Sequence, residues 1–124
     1  AKHLHRQGAK LYVTDIHPEN IEKAVNEFAA IAVSPKNIFE LDVDVFAPCA
    51  MGAILDAESI AKLKVKVIAG AANNQLAKEE FGQLLADKGI LYAPDYVINA
   101  GGIIDIYHQS ISSSDKGLRK HIEQ

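Results

Sequence analysis

Strand-like runs alternate with helical segments along this chain of 124 residues. The strand-like runs lie at residues 10–15, 41–46, 65–69 and 90–92. Helical spacing of apolar residues predicts long helices at residues 18–30 and 75–88, and shorter helices at residues 53–55 and 57–63. Such alternation is typical of βαβ units with right-handed crossovers around one parallel sheet. The sequence therefore predicts an α/β fold with a doubly wound parallel sheet.

The ends of the helices are marked by proline and glycine. Pro18 suits the first turn of a helix whose apolar residues recur at i, i+3, i+4 and i+7 and should form one buried face: Ile21, Ala24, Val25 and Phe28. Gly8 and Gly89 stand where C-terminal helix caps belong, so we expect residues 1–8 to be the last turns of a helix. After Asn99, the glycine pair 101–102 leads into an apolar segment that predicts a final helix.

The composition bears on the class of protein. With 13 Lys and Arg against 16 Asp and Glu, the net charge is −3 without a basic stripe, so nucleic acid is not an expected partner. The apolar stretch at residues 97–106 is interrupted and falls short of the roughly 20 residues that span a bilayer, so no membrane is expected. The single Cys49 cannot form an internal disulfide, and no signal-peptide pattern is present, which favours the cytoplasm.

The four strand ends carry small residues, amides and one carboxylate. They are Asp15 and the segments 47–50, 70–74 and 93–102. Ligands of doubly wound folds bind beyond the carboxyl ends of the strands. Small residues let a bulky ligand approach the backbone, and amides donate and accept hydrogen bonds without adding charge. This chemistry indicates a cofactor site and not a hydrolase site.

Asp15 has two interpretations that the residue alone leaves open. It could accept hydrogen bonds from the ribose hydroxyls of a dinucleotide, or it could merely cap the helix that follows. The ribose role favours NAD over NADP, because a carboxylate repels a 2′-phosphate. It also requires a glycine-rich turn about 20 residues upstream. That turn and the first strand would precede residue 1, so the predicted Rossmann-like sheet is incomplete.

Three blocks of sequence resemble a known family. Residues 45–52, 67–76 and 92–102 resemble, in the same order, segments of the glutamate, leucine, phenylalanine and valine dehydrogenases, and they are most similar to the leucine-specific members. The resemblance extends from about residue 1 to about residue 107. Residues 1–124 are therefore interpreted as one partial dinucleotide-binding domain, in which the tail at 108–124 matches less clearly.

The resemblance implies roles for individual residues. Asp15 corresponds to the ribose-binding carboxylate, and Asn99 corresponds to an amide beside the nicotinamide. The remaining cofactor-binding positions are Cys49 and Ala50 on the adenosine side, and Ala72, Asn73 and Asn74 near the nicotinamide ribose. Ile103 and Ile106 correspond to positions against the substrate side chain and would suit a branched aliphatic amino acid, although ordinary helix core is the alternative explanation for both.

The resemblance also implies an activity. The expected reaction is the oxidative deamination of a branched-chain L-amino acid to a 2-oxo acid and ammonium with NAD, in a homo-oligomer. The catalytic residues of the family lie in another domain, so none is expected in this chain, and the chain by itself is expected to be inactive. The alternatives are a phenylalanine or valine dehydrogenase, or a truncated stand-alone module for nucleotide binding or assembly.

Two other kinds of site are not expected. Cys49 has no histidine near it in sequence, so we interpret it as a small buried neighbour of the cofactor and not as a nucleophile. The histidines do not form a metal-binding pattern with Cys49, and His3 and His5 would diverge on a helix.

An absent first strand should leave a gap in the sheet. In the order 3-2-1-4-5-6, that strand belongs between the run at 10–15 and the run at 43–46. Val13 and Val45 would then lie about 9–10 Å apart, with unpaired backbone groups between them. We expect the gap to be filled by a strand of another chain or by a segment outside these residues; direct pairing of the two runs would instead indicate a rearranged fold.

Overall fold

The computed structural model describes residues 1–99 and 101–110, in which short strands alternate with helices. The strands are β1 (Tyr12–Val13), β2 (Ile31–Ala32), β3 (Val45–Phe46), β4 (Val67–Ala69) and β5 (Leu91–Ala93). The helices are α1 (Lys2–Arg6), α2 (Pro18–Phe28), α3 (Ala57–Lys62), α4 (Phe81–Asp87), α5 (Asp95–Ile98) and α6 (Gly101–Ser110), with a 3-10 turn at Ile38–Glu40.

The strands form two parallel sheets, which confirms the predicted α/β fold. One sheet pairs β1 with β2, and the other has the order β3-β4-β5. These orders match the two sides of the sequence 3-2-1-4-5-6, with no strand at the central position among the described residues. The strands β1 and β3 do not pair with each other in this part of the chain. The rearranged sheet, which was one of the expected alternatives, is therefore not formed.

Local chemistry accounts for the ends of several helices. Pro18 occupies the first turn of α2, as predicted. At α3, the Asp56 carboxylate accepts from the Ser59 N–H at 2.8 Å while the Ser59 hydroxyl accepts from the Asp56 N–H at 2.9 Å, which is a reciprocal capping box. After α4, Gly89 has a φ of +69°, in the region that favours glycine, and ends the helix as expected.

The hydrophobic core lies around the three-stranded sheet. Its buried members come from β4, α3, α4 and the adjoining loops: Leu55, Ile60, Leu63, Val65, Ile68, Leu85 and Ile90. In the unit formed by β1, α2 and β2, the strands and the helix contain no buried residue, and Ala30, just before β2, is the buried one. The predicted apolar face of α2 is therefore only partly buried, because Val25 is exposed and Ile21, Ala24 and Phe28 are of intermediate exposure.

The structure differs from the predicted secondary structure in one additional strand, one helix that does not form and one helix that is shorter than predicted. The strand β2 was not predicted, and residues 53–55 do not form a helix. The helix predicted over residues 75–88 begins only at Phe81. Long-range pairing explains the last two differences, because Leu55 donates its N–H to the Gln75 carbonyl and accepts from the Ala77 N–H, both at 3.0 Å. The predicted tail beyond residue 110 lies outside the described residues.

Candidate functional site

Three loops follow the carboxyl ends of β3, β4 and β5. They are the β3 loop (residues 47–53), the β4 loop (residues 70–75) and the β5 loop (residues 94–99, which contains α5). Because these strands are parallel and adjacent, the three loops share one edge of the sheet. Because all four follow strand ends, Asp15, Ala50, Asn74 and Asn99 are expected to converge on one edge, and this edge contains Ala50, Asn74 and Asn99. Asp15 follows β1 and so belongs to the two-stranded sheet.

The β3 and β4 loops are in direct backbone contact. The Ala72 N–H donates to the Pro48 carbonyl at 2.9 Å, and the Ala53 N–H donates to the Asn74 carbonyl at 2.7 Å. A Cβ at Gly70 would overlap the backbone of Pro48, and a Cβ at Gly52 would lie 2.5 Å from the Asn73 carbonyl oxygen. Glycine is therefore required at both positions by the close approach of the two loops.

A buried carboxamide supports the β4 loop from inside. Gln75 is fully buried, and its Nε2 donates to the carbonyl of Gly70 at 2.6 Å and to the carbonyl of Ala72 at 2.9 Å. Ala72 is itself buried, so it contributes to the packing beneath the loop surface. Asn73 and Asn74 are exposed on the same loop. The side chain of Gln75 thus holds the loop in the shape that presents the two asparagines.

The β5 loop is joined to the β4 loop by Asn99. Its Nδ2 donates to the Ala71 carbonyl at 2.8 Å and to Oδ1 of Asn73 at 3.0 Å. These bonds fix the orientation of both carboxamides, since the two N–H groups of Asn99 and the oxygen of Asn73 are all engaged. The oxygen of Asn99 is left as an acceptor and Nδ2 of Asn73 as a donor, and neither bonds another group within residues 1–99 and 101–110.

A second link between these loops comes from Asp95. Its Oδ2 accepts from the Asn74 N–H at 2.8 Å, and its Oδ1 accepts from the Tyr96 N–H at 2.9 Å. Asn74 has a φ of +49°, in the left-handed region that asparagine tolerates better than most residues. The Asp95 carboxylate thus holds Asn74 in this conformation.

An open cleft of about 350 Å³ lies where the β4 loop, the β5 loop and α6 meet. It is lined by Asn73, Asp95, Tyr96, Asn99, Ile103 and Ile106. Ile103 is 72% exposed and Ile106 is 68% exposed, so neither side chain is packed in a core within the described residues. The lining of the cleft therefore combines polar carboxamides with aliphatic side chains, a combination typical of small-molecule sites.

Asp15 lies just beyond β1 and accepts two hydrogen bonds from the start of α2. Its Oδ1 accepts from the His17 N–H at 2.9 Å, and its Oδ2 accepts from Nδ2 of Asn20 at 3.0 Å. The His17 N–H and then the Asn20 carboxamide lower the pKa of Asp15 below its ordinary value. These bonds tie Asp15 to the residue before α2 and to a side chain of its first turn, whereas no side chain among the described residues caps the N–H groups of that turn. They do not compete with a ligand role, because an ionised carboxylate has about four acceptor positions.

Cys49 and Ala50 are both exposed on the β3 loop. The expectation that Cys49 is buried is wrong, because the tight packing of this loop against the β4 loop is made by Pro48, which is buried, and by Gly52.

In the part of the chain that the structure describes, no group of three His, Cys, Asp or Glu side chains is arranged to hold a metal ion. Of the helices described, none has the length and apolar content needed to cross a membrane.

Comparison with known proteins decides the family. A sequence profile described as Glutamate/Leucine/Phenylalanine/Valine dehydrogenase matches residues 5–118. The chain belongs to this family. It is 52% identical over 122 residues to a leucine dehydrogenase of Thermoactinomyces intermedius, a match that covers 98% of this chain and 33% of that protein. The chain thus spans about a third of the length of the curated relatives that it matches.

Solved structures of this dehydrogenase family share the fold. The crystal structure of L-tryptophan dehydrogenase from Nostoc punctiforme superimposes with a TM-score of 0.93 at 48% identity, over 98% of this chain and 37% of that one. A hetero-hexameric glutamate dehydrogenase from Thermus thermophilus has a TM-score of 0.62 at 21% identity, over 85% of this chain and 26% of that one. The first of these covers both sheets, so their arrangement is that of an amino acid dehydrogenase.

Two residues of the candidate site were not predicted from the sequence. Asp95 and Gln75 both lie in segments that resemble the family, but neither was assigned a role. A carboxylate two residues after the end of β5 was an available signal for Asp95, because strand ends are where ligands bind. Gln75 gave no comparable signal, since its place in a predicted amphipathic helix indicated a polar surface position.

Proposed function

We propose that this chain supplies most of the dinucleotide-binding domain of a dehydrogenase that converts a branched aliphatic L-amino acid to a 2-oxo acid and ammonium with NAD. The observation that carries the proposal is the cleft, which is lined by the Asn73–Asn99 carboxamide pair together with Ile103 and Ile106. Membership of the family supports the reaction class. The reaction of the whole protein is part of the proposal, because the chain spans a third of its relatives.

The hydrogen-bonding groups of the cleft fit a nicotinamide. Asn99 offers its side-chain oxygen as an acceptor, and Asn73 offers its Nδ2 as a donor. A nicotinamide carboxamide has one donor group and one acceptor, so the two asparagines complement it. Bound NAD would supply the acceptor for the hydride that leaves the Cα of the amino acid. The chain's own residues orient the ring and place it beside the apolar wall.

The remaining cofactor positions follow from the same assignment. Asp15 binds the adenosine ribose hydroxyls and selects NAD, since its pKa is lowered and the group is ionised at neutral pH. Cys49 and Ala50 lie along the adenosine side, where their exposure leaves room for the ligand. Asn74 and Ala72 shape the loop beside the nicotinamide ribose.

The two isoleucines form the part of the substrate pocket that this domain contributes. Their exposed aliphatic side chains suit a leucine-sized substrate. Phenylalanine and valine remain the alternative substrates, because the opposite wall of the pocket would come from another domain, as would the catalytic residues. A homo-oligomer is also part of the proposal, and the hetero-hexameric glutamate dehydrogenase of Thermus thermophilus supports it only in that a protein of the same fold forms an assembly.

The test uses the full-length protein that contains this chain. The initial rate of NAD reduction is measured with leucine, valine, phenylalanine and tryptophan, and each assay is repeated with NADP. The proposal expects turnover with NAD and a higher kcat/KM for leucine than for the aromatic substrates. Binding of NAD without turnover of any amino acid would instead indicate the stand-alone binding module. Preference for an aromatic substrate would retain the chemistry and reject the branched-chain assignment.

A further inference from the structure

Asp95 lies beside the cleft and links the β4 loop to α5. It is the first residue of α5, and its carboxylate accepts from the Asn74 N–H at 2.8 Å and from the Tyr96 N–H at 2.9 Å. Asp95 also lines the cleft itself. One side chain therefore ties the loop beside the proposed nicotinamide site to the start of the helical segment that leads into the substrate wall.

The segment α5 is attached to the β4 loop at both of its ends. Asp95 holds the first end through Asn74, and Asn99, which follows α5, holds the other end through Ala71 and Asn73. The next helix, α6, begins at Gly101 and carries Ile103 and Ile106. A displacement of the β4 loop is thus transmitted to α5 by two contacts, and α5 is separated from α6 by only two residues.

The conformation of Asn74 makes the Asp95 contact the more sensitive of the two. A left-handed φ at a residue other than glycine persists only where the surroundings stabilise it. The Asn74 N–H is bonded to Asp95, and the Asn74 carbonyl accepts from the Ala53 N–H at 2.7 Å. Within residues 1–99 and 101–110, loss of the Asp95 acceptor leaves the bond to Ala53 as the one backbone contact that holds this conformation.

We propose that Asp95 is a positioning residue that couples the dinucleotide loop to the apolar wall contacting the substrate side chain, an inference that rests on the proposed function. The Asp95 carboxylate then determines the conformation of the loop that carries Asn73 and Asn74. It also determines where α6 places Ile103 and Ile106. Its removal affects cofactor affinity and side-chain selectivity together, through the loop and the helical segment that Asp95 joins.

The test variant is Asp95→Asn in the full-length protein. An amide has only one oxygen, so one of the two N–H groups that now meet an acceptor would face an NH₂ group instead. We expect the KM for NAD to rise by about tenfold, as for the loss of one hydrogen bond to a charged acceptor. We expect the ratio of kcat/KM for leucine over phenylalanine to change in the same variant by about fivefold or more.

The matched control is Asp56→Asn. Asp56 also stands at the start of a helix and accepts a backbone N–H, that of Ser59 at 2.8 Å, but it lies in α3's capping box and does not line the cleft. Asparagine caps a helix about as well as aspartate, so this control should change the thermal unfolding temperature little and should leave the KM for NAD and the selectivity ratio unchanged. Asp95→Ser, whose short hydroxyl cannot serve both donors, is a second test variant and is paired with Asp56→Ser.

The outcomes separate this inference from the proposed function. If the unmodified protein turns over no amino acid, the proposed function itself fails. If it is active, a joint change of the KM and the selectivity ratio in the Asp95 variants, absent from the Asp56 variants, supports the coupling. A change in only one of the two quantities, in neither, or to the same extent in the Asp56 variants, overturns it.

Discussion

Asn99 donates a hydrogen bond from Nδ2 to Oδ1 of Asn73 at 3.0 Å, across 26 residues of sequence. The bond joins the loops that follow two neighbouring parallel strands, β4 and β5. It sets which atom of each carboxamide is presented to the cleft, an acceptor from Asn99 and a donor from Asn73. The proposed recognition of a nicotinamide depends on this orientation and on the groups that surround the pair.

Asp15→Ala should weaken the binding of NAD more than the binding of NADP in the full-length protein. The substitution removes an acceptor of ribose hydrogen bonds and also removes the charge that repels a 2′-phosphate. A hydrogen bond to a charged group contributes about 1.5–3 kcal/mol, so the KM for NAD should rise roughly tenfold or more. The measurement is the KM for both dinucleotides. Asp44→Ala, which removes an exposed carboxylate paired with Lys66, is the control and should change neither value. If Asp15→Ala and the unmodified protein have the same KM for NAD and the same KM for NADP, Asp15 does not contact the cofactor and only stabilises the start of α2.

Asn20→Ala should raise the pKa of Asp15 toward its ordinary value, because the Asn20 side chain is the second largest cause of its lowering after the His17 N–H. A carboxylate whose pKa is lowered in the folded state stabilises the fold above its unfolded pKa. This contribution is lost as the pH falls through the folded pKa. The measurement is an NMR titration of the Asp15 carboxyl group. The pKa of Asp44, lowered by Lys66, serves as the internal control and should not move.

Ile103→Ala should shift the preference of the full-length enzyme from aliphatic toward aromatic amino acids. Removing most of an exposed side chain from the wall of the cleft enlarges the space for the substrate. A difference of one to a few methylene groups corresponds to about 1–3 kcal/mol of discrimination. The readout is kcat/KM for leucine divided by kcat/KM for phenylalanine. The same proportional loss for both substrates would mean that Ile103 does not contact the substrate side chain.

Gln75→Leu should destabilise the full-length protein by about 1–3 kcal/mol, because it leaves the carbonyls of two buried residues, Gly70 and Ala72, without their donor. Chemical denaturation followed by circular dichroism measures the change. The control is Lys88→Met, which removes the bonds from Nζ of Lys88 to the carbonyls of Ile60, Ala61 and Leu63. Lys88 is exposed, so water can replace it, and we expect a smaller loss. If Lys88→Met lowers the free energy of unfolding as much as Gln75→Leu does, burial of the carbonyl groups is not the cause of the effect.

The backbone between β1 and β3 should be protected from hydrogen exchange only when a further strand lies there. The carbonyls of Leu11 and Val13 accept from the N–H groups of Ile31 and Val33, in β2 and just after it, so Tyr12 directs its backbone groups to the other side. By the same alternation, Val45 directs its backbone groups away from β4, since the Asp44 carbonyl accepts from Val67. We expect the Tyr12 and Val45 amides to exchange rapidly in the isolated chain and slowly in the full-length protein. Slow exchange in both would contradict the proposed insertion of a strand.

The architecture was largely predictable because local patterns encode it. The alternation of strand-like and helical segments indicated the parallel sheet, Pro18 and Gly89 marked the ends of helices, and small residues and amides marked the strand ends. Each of these signals reflects a preference of a few neighbouring residues for one backbone conformation. The loops carrying Asn73, Asn74 and Asn99 were found in this way, and the three residues lie on one edge of the sheet.

The sequence by itself determined the fold class, the family and the loops in which a ligand site could form. Tertiary structure decided that residues 75–80 are not helical, that Cys49 is exposed, and that Ile103 and Ile106 face a cleft instead of a core. It also decided the roles of Gln75 and Asp95 and the orientation of the asparagine pair. The physical reason is the separation in sequence of the residues involved. The bonds from Asp95 and Asn99 to the β4 loop join residues 21 to 28 positions apart, and no local conformational preference specifies such contacts.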